Sequence, residues 1–74
     1  MKHRNIKARK FLKALERCGC IVVRNTSHGA IVENPKTNQS INVPLHREEI
    51  AVWIYNNILK RLEIDKKDFE ENYF

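Results

Sequence analysis

The sequence predicts an α+β fold. The expected form is a two-layer α-β-β-β-α domain, a three-stranded antiparallel sheet with two helices on one face, plus a short C-terminal helix. Three observations predict it. Apolar residues recur at three- and four-residue steps in two long segments, one near each end. Between them lie three short β-branched segments separated by turn-forming residues. Helix and strand segments that bury only one face need a second layer to cover it. The 74 residues are read as one domain, 1–74, with a core over about 5–64 and a helical extension over about 65–74.

The first helix is expected over 5–18, with Asn5 as its N-cap. Ala8, Phe11, Leu12, Leu15 and Cys18 form its apolar stripe, and Gly19 suits the left-handed position that stops a helix. A strand follows over 20–24, then the Asn25-Thr26-Ser27 turn, then a strand over 29–33. Asn34-Pro35-Lys36-Thr37-Asn38 is dense in turn formers. A third strand over 40–43 ends at Pro44, which has no N–H for a ladder. The second helix is expected over 47–62. Glu48 and Glu49 would sit at its positive end, and Ile50, Trp53, Ile54, Ile58 and Leu62 would form a stripe widened by Tyr55 and Leu59. Trp53 is therefore read as core. Asp65 should cap the terminal helix, with Ile64 stapled to Phe69.

A chain this short buries roughly 60% of its unfolded surface. That leaves little room for a deep pocket and favours a large substrate lying across an open face. The net charge of +5 is uneven. From Met1 to Arg17 there are seven basic side chains, Lys2, Arg4, Lys7, Arg9, Lys10, Lys13 and Arg17, against Glu16 alone. From Leu62 onward five acids, Glu63, Asp65, Asp68, Glu70 and Glu71, face two lysines. A clustered cationic face is the electrostatic footprint of a polyphosphate partner, so Lys7, Arg9, Lys10, Lys13, Arg17 and Lys36 are candidate nucleic-acid-binding residues, although most charge runs are solvated helix faces. No apolar run approaches the roughly 18–20 residues that span a membrane, and no apolar stretch follows the basic N-terminus as in a secretory signal. The expectation is a cytoplasmic protein with no membrane partner. Cys18 and Cys20 are one residue apart, too close for an ordinary disulfide and too few for a zinc site, so free thiols and no metal or other cofactor are expected.

Asn25-Thr26-Ser27-His28-Gly29 carries the candidate chemistry. It places an imidazole at the rim of a sheet, a rigid position for a group that donates or accepts a proton. Imidazole is the side chain that changes charge between about pH 5 and 8. A lone histidine at a strand edge is nonetheless most often a spectator.

The chain resembles a known family in several motifs taken together. A basic first helix ends at Cys18-Gly19-Cys20. A strand ends in Arg24, Ser27-His28 follows a tight turn, and Val43-Pro44-Leu45-His46-Arg47-Glu48 leads into the second helix. In order and spacing these are similar to the HicA-type mRNA interferases, toxins of bacterial toxin–antitoxin pairs, over 6–64. The resemblance implies a double-stranded-RNA-binding-domain-like fold and metal-independent endonuclease cleavage of mRNA. It also implies that His28 is the catalytic residue and that a HicB-type antitoxin covers the active face. Two positions depart from the family pattern: Thr26 stands where glycine usually precedes the Ser-His pair, and Ile50-Ala51 where a Gly-Thr pair opens the second helix.

RNA carries its own nucleophile, the 2′-hydroxyl, so cleavage needs proton transfer and charge stabilisation. His28 is read as the proton-transfer group, on single-stranded regions of mRNA. Ser27, Arg24, His46 and Lys36 are candidates for supporting roles, and His3 is read as part of the terminus. Two rivals stand beside this reading. One is a non-catalytic RNA-binding module of the same fold, which would carry lysines at the start of the second helix, where Glu48 and Glu49 are expected instead. The other is a protein–protein adaptor that uses the acidic tail.

Overall fold

The computed structural model describes residues 5–74. Lys2, His3 and Arg4 lie outside the described residues. In chain order the elements are β1 (Ile6–Lys7), α1 (Ala8–Arg17), β2 (Ile21–Thr26), β3 (Gly29–Asn34), β4 (Gln39–Pro44), β5 (Glu49–Ile50), α2 (Val52–Arg61) and α3 (Lys66–Asn72). Strands β2, β3 and β4 form an antiparallel meander, as expected. β1 and β5 make a separate two-residue antiparallel pairing, Ile6 opposite Ile50 and Lys7 opposite Glu49.

The register of the meander divides the sheet into two faces. Val22, Val32 and Ile41 lie side by side, as do Ala30 and Val43. These residues meet Ala8, Phe11, Ala14 and Leu15 of α1 and Tyr55, Ile58 and Leu59 of α2, so both helices cover one face. Arg24, Ile31 and Asn42 line up on the opposite face. Beside them Val23 is bulged out of register and half exposed. α3 closes the core: Phe69 is fully buried, with its ring 5.9 Å from Phe11 and 6.5 Å from Tyr55. Asp65 caps α3 by accepting the Asp68 N–H, and Ile64 packs against the core beside Phe69. The Tyr55 hydroxyl donates to Glu70 at 2.7 Å and ties α3 to α2.

Both long helices end in the same hydrogen-bonded turn. After α1, Gly19 N–H bonds to the Glu16 carbonyl and Cys20 N–H to that of Leu15, with Gly19 at φ +110°. After α2, Glu63 and Ile64 bond to Lys60 and Leu59, and Glu63 occupies the left-handed position at φ +58°. Asn34 is the one buried polar residue among those described, and its Nδ2 donates to the Leu62 carbonyl at 2.8 Å. This bond fastens the β3–β4 turn to the end of α2.

The structure corrects four expectations. α1 begins at Ala8 rather than at residue 5, because Ile6 and Lys7 pair with β5. Its N-cap position is Lys7, and Asn5 instead donates to Glu49 at 3.4 Å. α2 begins at Val52 rather than at residue 47, so Glu48 and Glu49 precede it and its first turn holds no acid. The turn of the first hairpin is Ser27-His28, with Asn25 and Thr26 still in β2. Trp53 is not core. It is 71% exposed, because the buried face of α2 is set by Tyr55, Ile58, Leu59 and Leu62, whereas Trp53 shares its side with the exposed Asn56, Asn57 and Lys60.

Candidate active site

The hairpin turn is built from its own side chains. The Thr26 hydroxyl accepts the His28 backbone N–H at 3.2 Å, closing the turn over two residues. The same oxygen lies 3.2 Å from Asn42 Oδ1 and 3.3 Å from the Gly29 carbonyl, with one hydrogen to donate between them. Thr26 therefore closes the turn by hydrogen bonding. Backbone freedom is needed at Gly29, whose hydrogens face the β4 backbone. A Cβ there would stand 2.0 Å from the Val43 carbonyl oxygen.

β4 returns the chain to the same rim. The His28 carbonyl accepts two hydrogen bonds, from the Leu45 N–H at 3.3 Å and from Nδ1 of His46 at 3.0 Å. A carbonyl can only accept, so Nδ1 of His46 carries the hydrogen and Nε2 is left free. The rings of His28 and His46 stand 6.0 Å apart, centre to centre, at 77°. Both are exposed. The sequence puts His46 just before the expected start of the second helix at residue 47, as a candidate for a supporting role. The structure instead sets it in the bend before β5, beside His28.

The other expected site residues are spread more widely. Ser27 is exposed in the turn itself. Arg24 is exposed on the uncovered face of the sheet, which it shares with Thr26. Lys7, Arg9 and Lys10 gather around Glu48, because the Ala8 N–H bonds to the Glu48 carbonyl at 3.0 Å and holds the start of α1 two residues from His46. Lys13 and Arg17 lie further along α1, where they line a hollow with Lys10, Tyr73 and Phe74. Lys36 is at the opposite end of the hairpin from His28. The five steps of β3 separate them by about 17 Å at about 3.3 Å per residue. The structure thus joins His28 with Ser27 and His46 and leaves Lys36 apart.

The thiols of Cys18 and Cys20 are free, and burial pushes Cys20 up to about 11. A raised thiol stays protonated at neutral pH and is a poor nucleophile. No helix among the described residues is long and apolar enough to cross a membrane.

The geometry defines a class: a small α+β domain with two exposed histidines side by side at a sheet rim. Comparison with protein families gives the class a name. The model of the HicA toxin of bacterial toxin–antitoxin systems matches residues 8–64, and the chain belongs to that family. The match spans both histidines and stops before α3. No curated protein and no solved structure matches the chain.

Proposed function

We propose that this protein is the endoribonuclease of its toxin–antitoxin pair, cutting single-stranded regions of mRNA without a metal ion and held silent by a HicB-type antitoxin. The observation that carries the proposal is the imidazole pair. Two exposed rings stand 6.0 Å apart, and that of His46 is held by the His28 backbone carbonyl. That spacing lets one ring serve the attacking oxygen and the other the leaving oxygen of a single phosphodiester.

His28 removes the proton from the 2′-hydroxyl. The 2′-oxygen bonds to phosphorus and the bond from phosphorus to the 5′-oxygen breaks. His46 acts in its doubly protonated form: Nδ1–H stays bonded to the His28 carbonyl while Nε2–H gives its proton to the departing 5′-oxygen. The products are a 2′,3′-cyclic phosphate and a 5′-hydroxyl. Arg24 and the cations at the start of α1 supply charge for the strand on either side of the break. A toxin of this kind needs a masking partner, and an acidic antitoxin would complement Lys7, Arg9 and Lys10.

Analysis of the cut ends tests the reading. New 3′ ends carrying a cyclic phosphate are expected. A 5′-phosphate with a free 3′-hydroxyl would rule out attack by the 2′-oxygen. The binding-module rival predicts shifted but intact RNA. The acids once expected at the start of α2 no longer argue against that rival, but its first turn, Val52-Trp53-Ile54-Tyr55, holds no lysine to grip phosphate either.

A further inference from the structure

We propose that Trp53 is a nucleobase platform, on which a base of single-stranded RNA stacks beside the histidine pair; the inference rests on the ribonuclease reading. Trp53 is 71% exposed in the first turn of a ten-residue helix. An indole is the largest apolar group a chain has to bury, and here it is turned outward. It lines a hollow of about 420 Å³ whose wall is apolar at Pro44, Ile50, Ala51 and Ile54 and polar at His46, Arg47 and Glu49. It also borders a second hollow, of about 350 Å³, with Asn5, Val52 and Asn56. The ring therefore has open space toward His46 and open space away from it.

The neighbours select the occupant. Single-stranded RNA alternates an anionic linkage with a flat π face, and proteins bind it by alternating cations with aromatic rings. Arg47 and His46 supply the cationic partners next to the ring. The first turn of α2 has no capping side chain and no acidic residue, so its positive end is open toward a phosphate. The acid in the hollow, Glu49, accepts from Asn5 at 3.4 Å. Trp53 is followed along its face by Asn56, Asn57 and Lys60, all exposed. A cut at the histidine pair would thus place a neighbouring base on the indole, making Trp53 a subsite that sets which bases flank the break.

Trp53 is the sole tryptophan of the chain, so its emission reports the subsite alone. The probe is a short, mixed-sequence, single-stranded oligoribonucleotide with every 2′-hydroxyl methylated, which removes the nucleophile. The expected result is quenching of Trp53 emission on binding and a dissociation constant about 5- to 100-fold weaker for Trp53→Ala. Trp53→Phe should recover most of the loss, and kcat/KM on the unmodified RNA should fall by a similar factor in Trp53→Ala. Binding and cleavage within about two-fold of wild type in Trp53→Ala would overturn the inference and leave the ribonuclease reading standing. The same is true if Trp53→Ala loosens only the complex with the antitoxin. A wild-type chain that neither binds nor cuts RNA would overturn both.

Discussion

Gly29→Ala tests how the rim that carries His28 and His46 is built. The added Cβ would stand 2.0 Å from the Val43 carbonyl oxygen, 2.9 Å from its carbon and 3.0 Å from the Leu45 nitrogen, all backbone atoms. A carbon needs about 3.3 Å from such an oxygen, so β3 and β4 must part by roughly 1.3 Å at this point. That movement would stretch the 3.3 Å bond from Leu45 to the His28 carbonyl and the 3.0 Å bond from His46 beyond useful length. Two lost hydrogen bonds cost about 1–3 kcal/mol together. Holding an L side chain at φ +156° adds about 1–3 kcal/mol. The sum, about 2–6 kcal/mol, compares with a total stability of about 4–11 kcal/mol for a chain of this length. Urea unfolding of the purified variant measures the loss. Gly19→Ala is the control, because nothing lies within 4 Å of a Cβ there and only its φ of +110° opposes the change. A Gly29→Ala variant within about 0.5 kcal/mol of wild type, or no worse than Gly19→Ala, would refute the close approach of β4 to the hairpin turn.

Other perturbations give equally definite outcomes. Glu63→Gly should stabilise the protein by about 1 kcal/mol, because Glu63 holds the left-handed turn after α2 at φ +58°, and melting should rise by about 4–8 °C. Stability should fall above about pH 9 by up to about 1.4 kcal/mol per pH unit. Burial keeps the Cys20 thiol protonated to about 11 in the folded state, so the unfolded chain loses that proton first. Cys20→Ala should remove the first part of that decline, and Tyr55, raised by burial and its bond to Glu70, should extend it at higher pH. His46→Ala should lower the rate of RNA cleavage by about 10²- to 10⁴-fold, the share a positioned proton-transfer group supplies, as read by single-turnover cleavage.

The α+β layout was legible because its signals are local. The stripe of Phe11 and Leu15, the alternation around Ile41 and Val43, Gly19 after α1 and Asp65 before α3 each announce their element within a few residues. The starts of both long helices were not legible. Ile6–Lys7 and Glu49–Ile50 become strands only by pairing across more than forty residues of chain, and two residues show no period. Trp53 misled for a related reason. Four apolar residues in a row, Val52 to Tyr55, fit a helix in more than one phase, and the core chose the phase that buries Tyr55. His28 stood out in the sequence through its turn and the family resemblance. The place of His46 could not be read there, because it depends on β4 returning beside the hairpin and on a single bond to the His28 carbonyl. The basic residues of α1 were visible as charge, but their division between the histidine end and the Tyr73–Phe74 end follows from how α1 lies on the sheet.

RNA cleavage in excess EDTA, with wild type beside His28→Ala, is the most direct test of the account. His28 is exposed, so the variant should fold as the wild type does, and its circular dichroism and melting check this. Cut RNA with the wild type and intact RNA with the folded variant is the predicted result. Cutting by both would move the chemistry away from His28, and cutting by neither, with binding retained, would make the protein a binder of RNA and contradict the account.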